Sequence, residues 1–75
     1  MRVMFYNQLK TCVAAKDEPV GYKNLLYAAF SERTEFLLEG AYYRVRGLRV
    51  ALPVDNPPEI AVTLEWLRRE PPHDD

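Results

Sequence analysis

The chain has 75 residues, 48% of them hydrophobic, and a formal net charge of −1. Those values describe one small globular domain rather than a disordered chain. They exclude a whole-protein electrostatic drive toward nucleic acid or anionic membrane, and the dense acidity of a nucleic-acid mimic.

Residues 2–6 are β-prone and predict a first strand. The same run is too short for a secretory signal, and polar Asn7 and Gln8 interrupt it. Residues 8–16 read as a short helix, with Leu9, Cys12, Val13 and Lys16 on one face; a strand over residues 9–14 is the rival reading. Cys12 is the only cysteine, so no internal disulfide forms and a reducing compartment, the cytoplasm, is expected. Asp17-Glu18-Pro19 marks a break. From about residue 20 to 33 the pattern is helical, with Tyr22, Leu25, Leu26, Ala29 and Phe30 as a broad apolar stripe and Glu18 near the positive end.

Residues 35–66 admit one register that satisfies three hairpins. Two-residue turns at Glu39-Gly40 and Arg46-Gly47 and a loop at Asp55–Glu59 set Phe36 opposite Tyr43, Leu38 opposite Ala41 and Val45 opposite Leu48. Tyr43 then also faces Val50, Leu52 faces Val62, Val50 faces Leu64 and Leu48 faces Trp66, all on one side. The other side pairs Glu35 with Arg44 and Arg49 with Glu65. The segment after Pro58 has two readings. Ile60, Val62, Leu64 and Trp66 alternate as a strand, which β-branched Val62 and Thr63 favour. Asn56-Pro57-Pro58-Glu59 resembles a helix start, and a three-stranded sheet with a C-terminal helix 57–69 is the alternative. The expected fold class is therefore α+β: an antiparallel β-meander over about residues 35–66, with one amphipathic helix at about 20–33 packed on one face. An open meander has edges at 35–38 and 59–66, one of which residues 2–6 are able to cap. Residues 1–70 form the domain and residues 71–75 a loose tail.

The residues for catalysis are sparse. His73, the only histidine, lies in the tail, where a general base is not held in place. Ser31 has no histidine near it in sequence. Cys12 has lysines at positions 10 and 16 but reads as a small core hydrophobe. One Cys and one His do not furnish a structural zinc site, and the three glycines do not form a phosphate loop. Glu35, Glu39, Asp55 and Glu59 read as surface charge pairs. Residues 32–39, taken as the recognition helix of a winged-helix DNA binder, would set three glutamates against phosphates, which counts against that fold. Tyr22, Tyr27, Phe30, Phe36, Tyr43 and Trp66 read as core aromatics between helix and sheet, but neither the stripe nor the register places Tyr6 or Tyr27, which are candidates for exposure at an interface.

The remaining functional candidate is the outer side of the sheet. The register places Leu37, Tyr42, Arg44 and Arg49 there together, with Arg46 at an adjoining turn. Tyr and Arg are the types enriched at interface hot spots. The expected function is that of a non-enzymatic protein-interaction module, regulating or inhibiting a partner protein and forming a homo-oligomer through a sheet edge. It needs no cofactor and no metal, and contacts no membrane. Nucleic-acid binding through the Tyr42, Arg44, Arg46 and Arg49 face is the alternative, since arginine holds phosphate and an aromatic ring stacks on a base.

Overall fold

The computed structural model describes residues 1–72; of the expected tail, residues 73–75, His73 among them, lie outside the described residues. The chain forms strands β1 (Arg2–Tyr6) and β2 (Cys12–Asp17), helix α1 (Tyr22–Glu32), and strands β3 (Glu35–Leu38), β4 (Ala41–Ala51) and β5 (Glu59–Arg69). The strands make one five-stranded sheet in the order β2-β1-β5-β4-β3. An α+β fold with a helix on one sheet face stands, but a meander alone does not describe it. β1 enters the sheet parallel to β5, with Val3 opposite Ile60 and Phe5 opposite Val62, and carries β2 antiparallel on its outer edge.

The first expected hairpin forms as read. Glu35, Phe36, Leu37 and Leu38 pair with Arg44, Tyr43, Tyr42 and Ala41. Its turn has φ 51° at Glu39 and φ 79° at Gly40. Positive φ at both central residues is the requirement of a turn whose twist matches that of the strands.

The second expected hairpin does not exist. β4 runs straight through Arg46-Gly47, and the ladder absorbs one extra residue as a bulge between Val45 and Gly47. Gly40 is the glycine with positive φ among the described residues, so Gly47 lacks the backbone a tight turn needs. Val45 consequently faces Leu64 rather than Leu48, and Tyr43 faces Trp66 rather than Val50.

The third hairpin forms with a different register. Val50 faces Ile60, Leu48 faces Val62 and Arg49 faces Ala61, while Glu65 pairs with Arg44. The expected Arg49–Glu65 and Leu52–Val62 pairs are therefore absent. Pro53 has no N–H to give to a ladder, so β4 ends at Ala51 and the loop lengthens to residues 52–58. The displacement is even, so the apolar residues keep their face.

Two further expectations are corrected. Residues 8–16 are not a helix; β2 replaces it, because the β1 edge supplies it with a ladder partner. Residues 57–69 are not a helix but the strand at the middle of the sheet, so β5 is no free edge. The open edges are β2 and β3.

The core lies between α1 and the inner sheet face. It comprises Val3, Phe5, Leu26, Leu38, Val45, Ile60, Val62 and Leu64, with Tyr22, Ala29, Phe36 and Tyr43 packed around it. The rings of Phe5 and Phe36 stack with centroids 5.7 Å apart. Residue Val50, expected in the core, is half exposed, and Trp66 is 56% exposed. The cause is length. The 11 residues of α1 reach only about 16 Å, whereas the 11-residue β4 and β5 span about 36 Å. Both ends of that ribbon project beyond the helix. Tyr27 and Phe30 are also exposed, on the flank of α1 rather than beneath it, and Leu25 with them. Cys12, expected in the core, is exposed at the start of edge strand β2.

Candidate interaction surfaces

Among the described residues no helix covers the outer face of the sheet. Leu37 of β3 is exposed there, Tyr42 and Arg44 of β4 are half buried, and Arg46 and Arg49 are exposed. All five lie on one face, but they do not form one patch. Arg68 of β5, which pairs with Tyr42 rather than lying beyond the expected strand, organises the first part. Its guanidinium donates two hydrogen bonds to the Glu35 carboxylate, at 2.9 and 2.6 Å, and lies 4.5 Å from the centre of the Tyr42 ring. The hydrogen bonds from Arg68 hold the Glu35 carboxyl below its ordinary range, with the charges of Arg68 and Arg44 assisting against desolvation. Arg46 Nη1 lies 3.9 Å from Glu65 Oε1. Arg44 stands between Glu35 and Glu65 in the ladder, and its Nε is buried without a hydrogen-bond partner among the described residues. The tyrosine and most of the arginines are thus engaged by neighbours within the chain.

Arg49 belongs to a second place on the same face. Tyr6, Thr63 and Gly47 form one row across β1, β5 and β4; Met4, Ala61 and Arg49 form the next. Small residues on the middle strand, between longer ones on either side, leave a trough of about 560 Å³. The β1–β2 loop closes one end of it with Asn7, Gln8 and Lys10. Asn7 fixes that loop. Its Oδ1 accepts hydrogen bonds from the Leu9 and Thr11 amides at 2.9 and 3.0 Å, and Lys10 adopts φ 64°. Sequence reading placed Arg49 on this face but missed Tyr6, Lys10 and Thr63, which only the β1–β5 pairing brings beside it.

A third feature is apolar. Beyond the N-terminal half of α1, Val20, Tyr27, Val50, Leu52, Pro57 and Pro58 surround a depression of about 370 Å³ floored by Met1 and Ile60, with Lys23 the charged residue of its lining. Val20 and Leu52 are 64% and 76% exposed. The strand alternation assigns Val50 to the interior, while Tyr27 falls outside the helical stripe and is exposed, in keeping with its expected place at a surface.

The residues weighed for chemistry are dispersed. Cys12 Sγ contacts the Ala14 carbonyl at 3.4 Å, and Ser31 Oγ donates to the Tyr27 carbonyl within the helix. Among the described residues no cluster of His, Cys, Asp and Glu is arranged to hold a metal ion, and no helix is long and apolar enough to cross a membrane. Burial raises the Tyr22 hydroxyl above its ordinary range, with Glu18 adding to the effect.

No family model, no curated protein and no solved structure matches this chain.

Proposed function

We propose that this protein is a small protein-interaction module that regulates or inhibits its partner by occupying the partner's surface. The observation that carries the reading is the apolar depression between α1 and the β4–β5 loop. Exposed apolar residues scattered singly are ordinary, but a contiguous group beside a cavity marks a contact site. Val20, Tyr27, Val50 and Leu52 form such a group, with prolines that stiffen its far wall. An apolar segment of the partner, seated there, withdraws both from water. The outer face with Leu37, Tyr42, Arg44, Arg46 and Arg49 supplies a second, polar contact surface, on which Arg49 is the arginine not engaged by a carboxylate among the described residues.

Self-association through a sheet edge belongs to the same reading. β2 and β3 both present unpaired backbone groups. β3 has only 4 residues, so β2, with 6 and with Val13 exposed, is the edge on which a second copy would add.

The test is affinity capture with nuclease treatment, comparing wild type with two variants that keep the core. Tyr27→Ala with Leu52→Ala should release the partner that wild type holds after nuclease. Arg44→Ala, Arg46→Ala and Arg49→Ala together should weaken the same complex. A partner retained at full strength by both variants defeats the reading. Light scattering on wild type and on Val13→Lys reads the oligomer; a monomer at all concentrations removes the edge pairing.

A further inference from the structure

We propose that the outer-face trough binds a nucleotide unit, phosphate and base together, as presented by single-stranded nucleic acid. Nucleotide recognition needs cations for the phosphate and a flat aromatic wall for the base, beside an opening wide enough for both. The trough supplies each from a different element. Lys10 comes from the β1–β2 loop and Arg49 from β4, and Tyr6 of β1 forms part of the wall. Asn7, Gln8 and Thr63 add hydrogen-bonding groups, and none of its lining residues is acidic.

The trough brings two cations together with no carboxylate in its lining. Lys16, Arg46 and Arg68 each face a carboxylate. Lys10 and Arg49 form no ion pair among the described residues. Cations already neutralised by a neighbour release few counterions on meeting a phosphate, whereas these two retain their full charge for it. The net charge of −1 is thus no obstacle, because screening confines the interaction to about a Debye length.

The floor is also suited to a planar ligand. The bulge at Val45–Gly47 leaves Gly47 and Thr63 opposite each other without a large side chain between β4 and β5. A Cβ built on Gly47 would come into ordinary contact with the Thr63 side chain at 3.9 Å, so the glycine keeps that much of the floor low. The volume of about 560 Å³ falls within the usual range of about 300–1,000 Å³ for small-molecule sites. The trough is open to solvent along the sheet, which lets a strand continue past the bound unit. This site is separate from the apolar depression on the helix side but shares Arg49 with the outer contact surface, so Lys10→Gly and Tyr6→Ala, which leave that surface intact, are the variants that tell the two readings apart.

Lys10 gives the sharpest variant. It holds φ 64°, a conformation that costs any residue with a Cβ, so Lys10→Gly should leave the fold as stable or more so. The experiment measures fluorescence anisotropy of labelled single-stranded RNA and DNA decamers, with adenosine monophosphate and inorganic phosphate followed by NMR shifts. Wild type should bind the decamers at low salt and shift the amides of Tyr6, Lys10, Arg49 and Thr63. Lys10→Gly and Arg49→Ala should each weaken binding about tenfold and shallow the log–log salt slope by about 0.7. Tyr6→Ala should weaken it similarly, with Tyr6→Phe retaining it. Tighter binding of decamers than of the mononucleotide supports the single strand as the source; equal binding assigns the same site to free nucleotides. Absence of binding at low salt, or binding indifferent to Lys10→Gly and Arg49→Ala, overturns the proposal, as does inorganic phosphate alone shifting these amides.

Discussion

Lys16 Nζ donates to Glu39 Oε1 at 2.9 Å, although β2 and the β3–β4 turn stand at opposite ends of the strand order. Two residues at the far edges of a flat sheet of this width would not meet. The contact therefore records how strongly the sheet curls around α1, as twisted sheets with a covered inner face do. The hydrogen bond to Glu39 raises the Lys16 ammonium above its ordinary 10.5, with the Glu39 charge assisting. Such a raised group stabilises the fold fully below 10.5 and loses that contribution as the pH climbs through the elevated value. Lys16→Met should lower the thermal midpoint slightly at neutral pH and low salt. The difference should shrink in 1 M salt, where exposed charges are screened, and vanish at strongly alkaline pH. Differential scanning calorimetry at two salt concentrations checks this.

The two sheet glycines should respond oppositely to alanine. Gly40 has φ 79°, so Gly40→Ala should destabilise by about 1 kcal/mol. Gly47 has no such backbone, and an added Cβ meets only Thr63 at ordinary contact distance. Gly47→Ala should stay within about 0.5 kcal/mol of wild type or gain slightly. Denaturant midpoints measure both. A large loss at Gly47 would mean a turn there, not a bulge.

Helix α1 ends on Arg33 at φ 55°, with the Arg33 and Thr34 amides both directed at the Ala29 carbonyl. This is the position that most often carries glycine. Arg33→Gly should stabilise by roughly 1 kcal/mol by removing the left-handed penalty of a residue with a Cβ. Urea unfolding should show a raised midpoint with an unchanged slope.

The Glu35–Arg68 pair sets an acid limb. Glu35 is held below its ordinary 4.5 by hydrogen bonds from Arg68. Its contribution is therefore present above 4.5 and lost as pH falls through the lower folded value. Glu35→Gln should flatten that limb while leaving stability near wild type at the lowest pH. Chemical unfolding followed from pH 7 downward tests the sign; a steeper limb in the variant would contradict it.

The sequence carried the inner face of this sheet more faithfully than its connections. Apolar positions switch from odd to even between Val45 and Leu48. A two-residue turn and a one-residue bulge produce the same switch, and both put those residues on the core side. What separates them is the backbone of Gly47 and the advantage of one long ribbon, neither of which periodicity records. Pro53, by contrast, was a readable stop that the assumed loop overlooked. The parallel pairing of β1 with β5 joins segments more than fifty positions apart, and no local signal announces it. The outer face suffered accordingly: Tyr42, Arg44 and Arg49 fell on the correct side, but Arg68 and Tyr6 reach them only through pairings that a local reading lacks.

The placement of β1 between β2 and β5 also has a kinetic consequence. On the ribosome, the β1–β2 hairpin emerges early with Val3 and Phe5 exposed and both edges bare, and β5 leaves the exit tunnel late. Chains dominated by such distant pairings fold slowly, because closing the long loop precedes any reward. Throughout that interval the nascent hairpin is a template for foreign strands, so the hazard for this small domain is greatest during synthesis, before its last strand arrives.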